Sequence, residues 1–192
     1  METISSINKE KRKKRVKKTA EVFTPHKLVK EILDKIPNEF WEDPTKTCLD
    51  PACGNGNFLI QALWRKLSRG HDATEALKTI YGLDIMQDNI RECRLRLLKI
   101  VSLFEDVTKE QIKAVTKNVR WLKGLPNGSL NYDMKFVNNS NNEDIDRWYE
   151  EIQNGELNLV DLPVICADAD PSIGEDGKIA KANTEHVNLF MD

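Results

Sequence analysis

Apolar residues first return at helical spacing at Leu28, Val29, Ile32, Leu33 and Ile36, and Pro37 ends the run. Thr24 is expected to cap this helix, with Pro25 at the first helical position. Residues 45–50 form a short segment closed by an acid and predict a buried strand. From residue 57 to 68, Phe58, Leu59, Ala62, Leu63 and Leu67 share one side of a second helix, and residues 72–78 make a third. TIYGL at residues 79–83 predicts another strand, again closed by an acid, Asp84. A long helix follows over 88–104, with Ile90, Cys93, Leu97, Leu98 and Val101 inside. Then come a helix at about 108–116 and a strand near 119–122. NNSNNED at 138–144 reads as a polar loop, 146–153 as a helix, and LVDLPVICA at 159–167 as containing the last strand. Strands alternating with helices imply a parallel sheet flanked by helices, an α/β doubly wound, Rossmann-like fold.

Composition narrows the class. The 192 residues suffice for one core, and 31% are charged, yet the formal net charge is only −2. The distribution says more than the sum. The run KEKRKKRVKK occupies residues 9–18, with Lys9 and Lys18 at its ends, whereas the last fifty residues are acid-rich. The run suits DNA phosphates, through a strongly salt-dependent contact, as well as it suits a solubilising tail. No run of about 18 apolar residues and no leader-like apolar segment occurs, so a cytoplasmic protein with no membrane span is expected. Cys48, Cys53, Cys93 and Cys166 show no CxxC spacing and are expected as reduced thiols. His26, His71 and His186 are dispersed, so no metal is expected. The four tryptophans read as packing residues rather than base-stacking platforms.

The chemistry concentrates in DPACGNGNFL, residues 50–59. In an open parallel sheet ligands bind beyond the carboxyl ends of the strands, where this loop lies. Gly54 and Gly56 remove β-carbons where a ligand approaches the main chain, and the amides of the next helix start suit an anionic group. Asp50 has the wrong sign for a phosphate but suits a cationic amino group, which points toward an amino-acid-like ligand. A plain strand-to-helix turn explains a lone GxG equally well. Asp84, thirty residues after the glycines, stands where a ribose-binding acid is expected.

Three motifs occur in order: FTP at Phe23, Thr24 and Pro25; DPACGNGNFL; and YGLDI from Tyr81 to Ile85. Together they resemble the adenine-specific DNA methyltransferases of the type I and gamma-class kind, over residues 20 to about 100. The resemblance implies a class I methyltransferase fold and an S-adenosylmethionine site. It implies that Phe23, Thr24 and Pro25 flank the cofactor and that Asp50, Pro51, Cys53, Gly54 and Gly56 hold its methionine part. Phe58 then lines the pocket, Asp84 and Ile85 meet the ribose side, and Asn127 in NGSL approaches the adenine.

The family's catalytic tetrapeptide, Asn/Asp/Ser-Pro-Pro-aromatic, has no full counterpart. Asp170-Pro171-Ser172-Ile173 keeps the acid and the first proline but has no aromatic ring to stack on a flipped base. Asp170 and Pro171 are the catalytic candidates on that match. About twenty residues follow, too few for three further strands, so the sheet is expected to be incomplete at its C-terminal strands. The expected organisation is a basic arm at 1–19, a methyltransferase-like domain at 20–170 and a tail at 171–192. Two functional readings result, while the FTP segment speaks against a third, an RNA or protein methyltransferase. One is a DNA adenine methyltransferase; the other is an inactive or split domain that binds cofactor or a second protein chain. No cysteine has the Pro-Cys context of a cytosine methyltransferase nucleophile.

Overall fold

The computed structural model describes residues 23–122 and 142–159, the side chains of 142–144 excepted. In chain order the elements are α1 (His26–Leu33), α2 (Asn38–Glu42), β1 (Cys48–Asp50), α3 (Asn57–Leu67) and α4 (Ala73–Lys78), then β2 (Ile80–Asp84), α5 (Gln87–Val101), α6 (Lys109–Asn118), β3 (Val119–Trp121) and α7 (Asn142–Gln153). The three strands are parallel in the order β1-β2-β3, with Asp50 opposite Gly82 and Asp84 opposite Trp121. Each crossover carries helix, as parallel pairing requires.

Local sequence explains most boundaries. Asp72 caps α4 by accepting from the Glu75 amide, and Thr108 with Gln111 forms a reciprocal capping box at α6. Helix α3 is buried on nearly all sides, because it packs on β1 and β2 and against α1, α2, α4 and α5. Leu59, Ile60 and Leu63 lie at the centre of the core. Truncating one such leucine to alanine costs about 2–5 kcal/mol.

Alternation divides the sheet into two faces. A β-carbon added to Gly82 would meet Leu59 and Cys53, so the face of Ile80, Gly82 and Val119 is the one the helices cover. On the opposite face Leu49 is 62% and Tyr81 38% exposed. Among the described residues the sheet is thus a mixed α/β layer covered on one side, which is coarser than the doubly wound fold expected.

Several sequence expectations need correction. Thr24 does not cap α1; Pro25, with ψ 142°, occupies the cap position without a side-chain hydrogen bond, and the helix begins at His26. Only Val29 and Leu33 of the α1 stripe are buried, while Leu28 and Ile32 stay well exposed, because α1 meets α3 along a narrow i, i+4 line. The short helix α2 was not expected, nor was the start of α7 at Asn142, within the polar stretch read as loop. The strand expected at 159–167 lies outside the described residues except for Leu159, which is buried.

Candidate functional site

Asp50 ends β1, and the chain then turns through residues 51–56 into α3. Gly54 (φ 52°) and Gly56 (φ 94°) both adopt positive φ, which only glycine takes without strain. The turn is tied to the end of β2. The Cys53 amide donates to the Leu83 carbonyl at 2.8 Å, and the Gly54 amide donates to Asp84 Oδ2 at 3.0 Å. The other Asp84 oxygen accepts from the Met86 amide at 2.7 Å and from Asn89 Nδ2 at 3.4 Å. One carboxylate therefore fixes both the glycine turn and the entry to α5.

The Phe23 to Pro25 segment joins the same cluster. A β-carbon on Gly54 would stand 3.0 Å from the Phe23 ring, and the Thr24 carbonyl accepts from Asn57 Nδ2 at 2.9 Å. Segments separated by thirty residues of sequence thus meet at one strand end. Gly56 has a different reason to be glycine: its missing β-carbon would lie 2.6 Å from Cys93 Sγ in the core. The two glycines admit the Phe23 ring and the α5 thiol respectively.

Charge at the site is anionic and half-buried. Burial raises the Asp50 carboxyl above the ordinary aspartate range, the Ala52 amide that it accepts at 3.1 Å offsets part of this, and the Asp84 charge adds to it. A cation brought beside Asp50 would relieve that cost. Its hydrogen bond with Cys93 and its burial push the Cys53 thiol far up, so it stays protonated and serves packing. The amide oxygen of Asn55 is buried without a hydrogen-bond partner, while its nitrogen donates to Glu92 at 2.9 Å. An unpaired buried acceptor in a glycine turn fits a donor arriving with a ligand.

The sequence reading missed two supports. Arg96, buried in α5, donates to the Asn55 carbonyl at 2.8 Å and to Asn57 Oδ1 at 2.9 Å, so its guanidinium clamps the turn from beneath. Asn57 in turn links that clamp to the Thr24 carbonyl. Neither has a sequence signal, since an arginine among the polar positions of a long helix reads as solvated.

The remaining candidates divide. Ile85 is 54% exposed just past β2, and its carbonyl accepts from the Trp121 indole at 2.9 Å. Asp50, Pro51 and Phe58 border an apolar cavity of about 370 Å³ that runs along β1 toward Trp41. Asn127, Asp170, Pro171 and the basic run at 9–18 lie outside the described residues. Among the described residues no group of His, Cys, Asp and Glu could hold a metal, and no helix is long and apolar enough to cross a membrane.

No curated protein and no solved structure matches the chain. Residues 8–118, more than half of the 192, match the family model of the N-6 DNA methylases. That span includes the FTP segment, the glycine turn, Asp84 and the whole of α6. By that match the chain belongs to the N-6 DNA methylase family, whose activity is the methylation of DNA.

Proposed function

We propose that residues 20–170 form a Rossmann-like, S-adenosylmethionine-dependent methyltransferase unit acting on the exocyclic amine of adenine in DNA, with the described strands as one half of a doubly wound sheet. The observation that carries this reading is the convergence of Phe23, Gly54 and Asp84 at one strand end. The residues fit the cofactor's chemistry. Half-buried Asp50 suits its ammonium group, and the unpaired Asn55 oxygen is an acceptor for it. Asp84 already accepts from Gly54, Met86 and Asn89, and carboxylate oxygens have further lone-pair directions for ribose hydroxyls. Phe23, Ile85 and Phe58 supply apolar walls.

When bound, S-adenosylmethionine supplies a methyl group on a sulfonium, open to attack by an amine lone pair. The protein's part is mainly positioning, so its rate rests on how rigidly the turn is held. Arg96 and Asp84 provide that rigidity by fixing the turn from two sides. Asp170, followed by Pro171, is our candidate to orient the target amine, Asn127 our candidate for the adenine side, and the 9–18 run a candidate DNA contact.

One observation favours a second reading, a domain completed by another chain. The outer edge of β1 has no strand partner among the described residues, and Leu49 beside it is 62% exposed. Incubating the purified chain with radiolabelled cofactor and unmethylated DNA separates the two. The first reading predicts label in N6-methyladenine. Cofactor binding without label would favour the second, and neither binding nor label would overturn both.

A further inference from the structure

A groove of about 790 Å³ opens away from the acidic strand ends, at the starts of β2 and β3. Lys78, Lys109, Lys113, Lys117 and Arg120 line it, against two acids, Glu110 and Asp146. The acids neutralise one side: Lys109 pairs with Asp146 at 2.6 Å, and Lys78 pairs with Glu110 at 3.1 Å and with Glu75 at 2.7 Å. Lys113 and Lys117 have no ion pair among the described residues and stand exposed on α6. Beside them lie Arg120 and the half-open ring of Tyr81, both from the uncovered face of the sheet.

The spacing of these cations is regular. Lys109, Lys113 and Lys117 recur every fourth residue, so they form a rail with about 6 Å between neighbours and roughly 12 Å in all. One strand of duplex DNA presents a phosphate about every 3.4 Å along its axis, so a rail of that length faces several phosphates. The frame beneath the rail is firm. Asn118, buried at the end of α6, donates to the Leu77 and Lys78 carbonyls at 3.1 and 3.0 Å and locks α6 to α4.

We propose that this groove is a second DNA-binding surface, which holds the phosphate backbone of a duplex away from the strand ends where the acids lie. An acidic protein partner fits less well, because protein interfaces centre on apolar anchors that enter desolvated pockets. Of the aliphatic members of this groove, Ala114 and Ile145 are already buried within the fold, which leaves the half-open Tyr81 ring against five cations. A contact of this kind positions the duplex without reading its sequence. It draws on DNA as the family's substrate and is independent of the cofactor site.

The test uses the full chain and a short fluorescent DNA duplex, with anisotropy titrations over a series of salt concentrations. Replacing Lys113 and Lys117 by alanine puts a good helix former at two exposed helix positions, so the variant folds. A Lys35→Ala, Lys46→Ala variant removes two exposed cations outside the groove and serves as the charge-matched control. The proposal predicts that the Lys113→Ala, Lys117→Ala variant binds DNA of any sequence more weakly, with its salt slope reduced by about 2. It predicts no comparable change in the control. Equal slopes in wild type and the groove variant would overturn the proposal. So would a polyglutamate peptide that binds the wild-type groove as tightly as DNA and loses affinity in the variant, since the site would then serve acidic protein. If the wild type fails to bind S-adenosylmethionine while the slope difference persists, the cofactor reading fails and the groove stands.

Discussion

Gly54 and Asp84 lie thirty residues apart in the chain, yet the amide of one donates to the carboxylate of the other at 3.0 Å. The acid that ends β2 therefore also shapes the turn that follows β1. Asp84→Ala removes that anchor and the bond to Met86 together. A hydrogen bond to a charged group contributes about 1.5–3 kcal/mol. The variant should lose stability on that scale in chemical denaturation and should expose the Gly54 amide to faster hydrogen exchange. An unchanged exchange rate would mean that the turn holds its shape without Asp84.

Gly56 is required by packing as well as by its dihedral angles. Gly56→Ala faces both a φ of 94° and Cys93 Sγ at 2.6 Å, so it should destabilise by about 1–3 kcal/mol. Adding Cys93→Ala removes the 2.6 Å contact but leaves the Cβ of residue 93 at 3.3 Å and the backbone strain. The double variant should recover part of the loss, as a double-mutant cycle in denaturant would show.

Arg96 should be intolerant of change. Its guanidinium satisfies the Asn55 carbonyl and the Asn57 side chain within the fold. Arg96→Leu leaves those acceptors without this donor and should cost about 2–4 kcal/mol. Both bonds leave one nitrogen, Nη1, and a lysine ammonium ends one bond short of that position, so Arg96→Lys should rescue only a part. Thermal melts of the three proteins would rank them.

Asp50 should affect stability in the opposite sense. Burial, aided by the Asp84 charge, keeps its folded-state carboxyl protonated to higher pH than in the unfolded chain, where aspartate titrates near about 3.9. The folded form then binds more protons in that window. Its contribution to stability consequently declines as pH rises from the unfolded value through the raised folded one. Asp50→Asn should flatten that decline and be the more stable protein at neutral pH, while binding the cationic cofactor less well. A melt series over pH 3–8 would contradict this if the two proteins showed the same slope.

The chain's punctuation explains how much of this was legible in advance. Proline, glycine and strand-ending acids mark the FTP segment, the turn and Asp84 whatever the tertiary packing, and the elements around them were found near their observed bounds. Trp41, read as packing, is fully buried. The short helix α2 that carries it was not legible, because five residues give no helical period. Lys66 was equally opaque: it is buried, and its ammonium donates to the Lys46 carbonyl at 2.8 Å, a destination set by tertiary contact. Arg96 was hidden for the same reason. The lysine rail of α6 carries the period of a solvated helix face, and only the meeting of α4, β2, β3 and α7 makes it a groove.

The central claim is that the turn held by Asp84 binds S-adenosylmethionine. Calorimetric titration of the wild-type chain and of Asp84→Ala tests it most directly. The account predicts saturable one-site binding to the wild type and at least roughly tenfold weaker binding to the variant, since loss of a hydrogen bond from a charged group is worth more than about 1.4 kcal/mol. Equal affinity in the two proteins, or no binding to either, would contradict it.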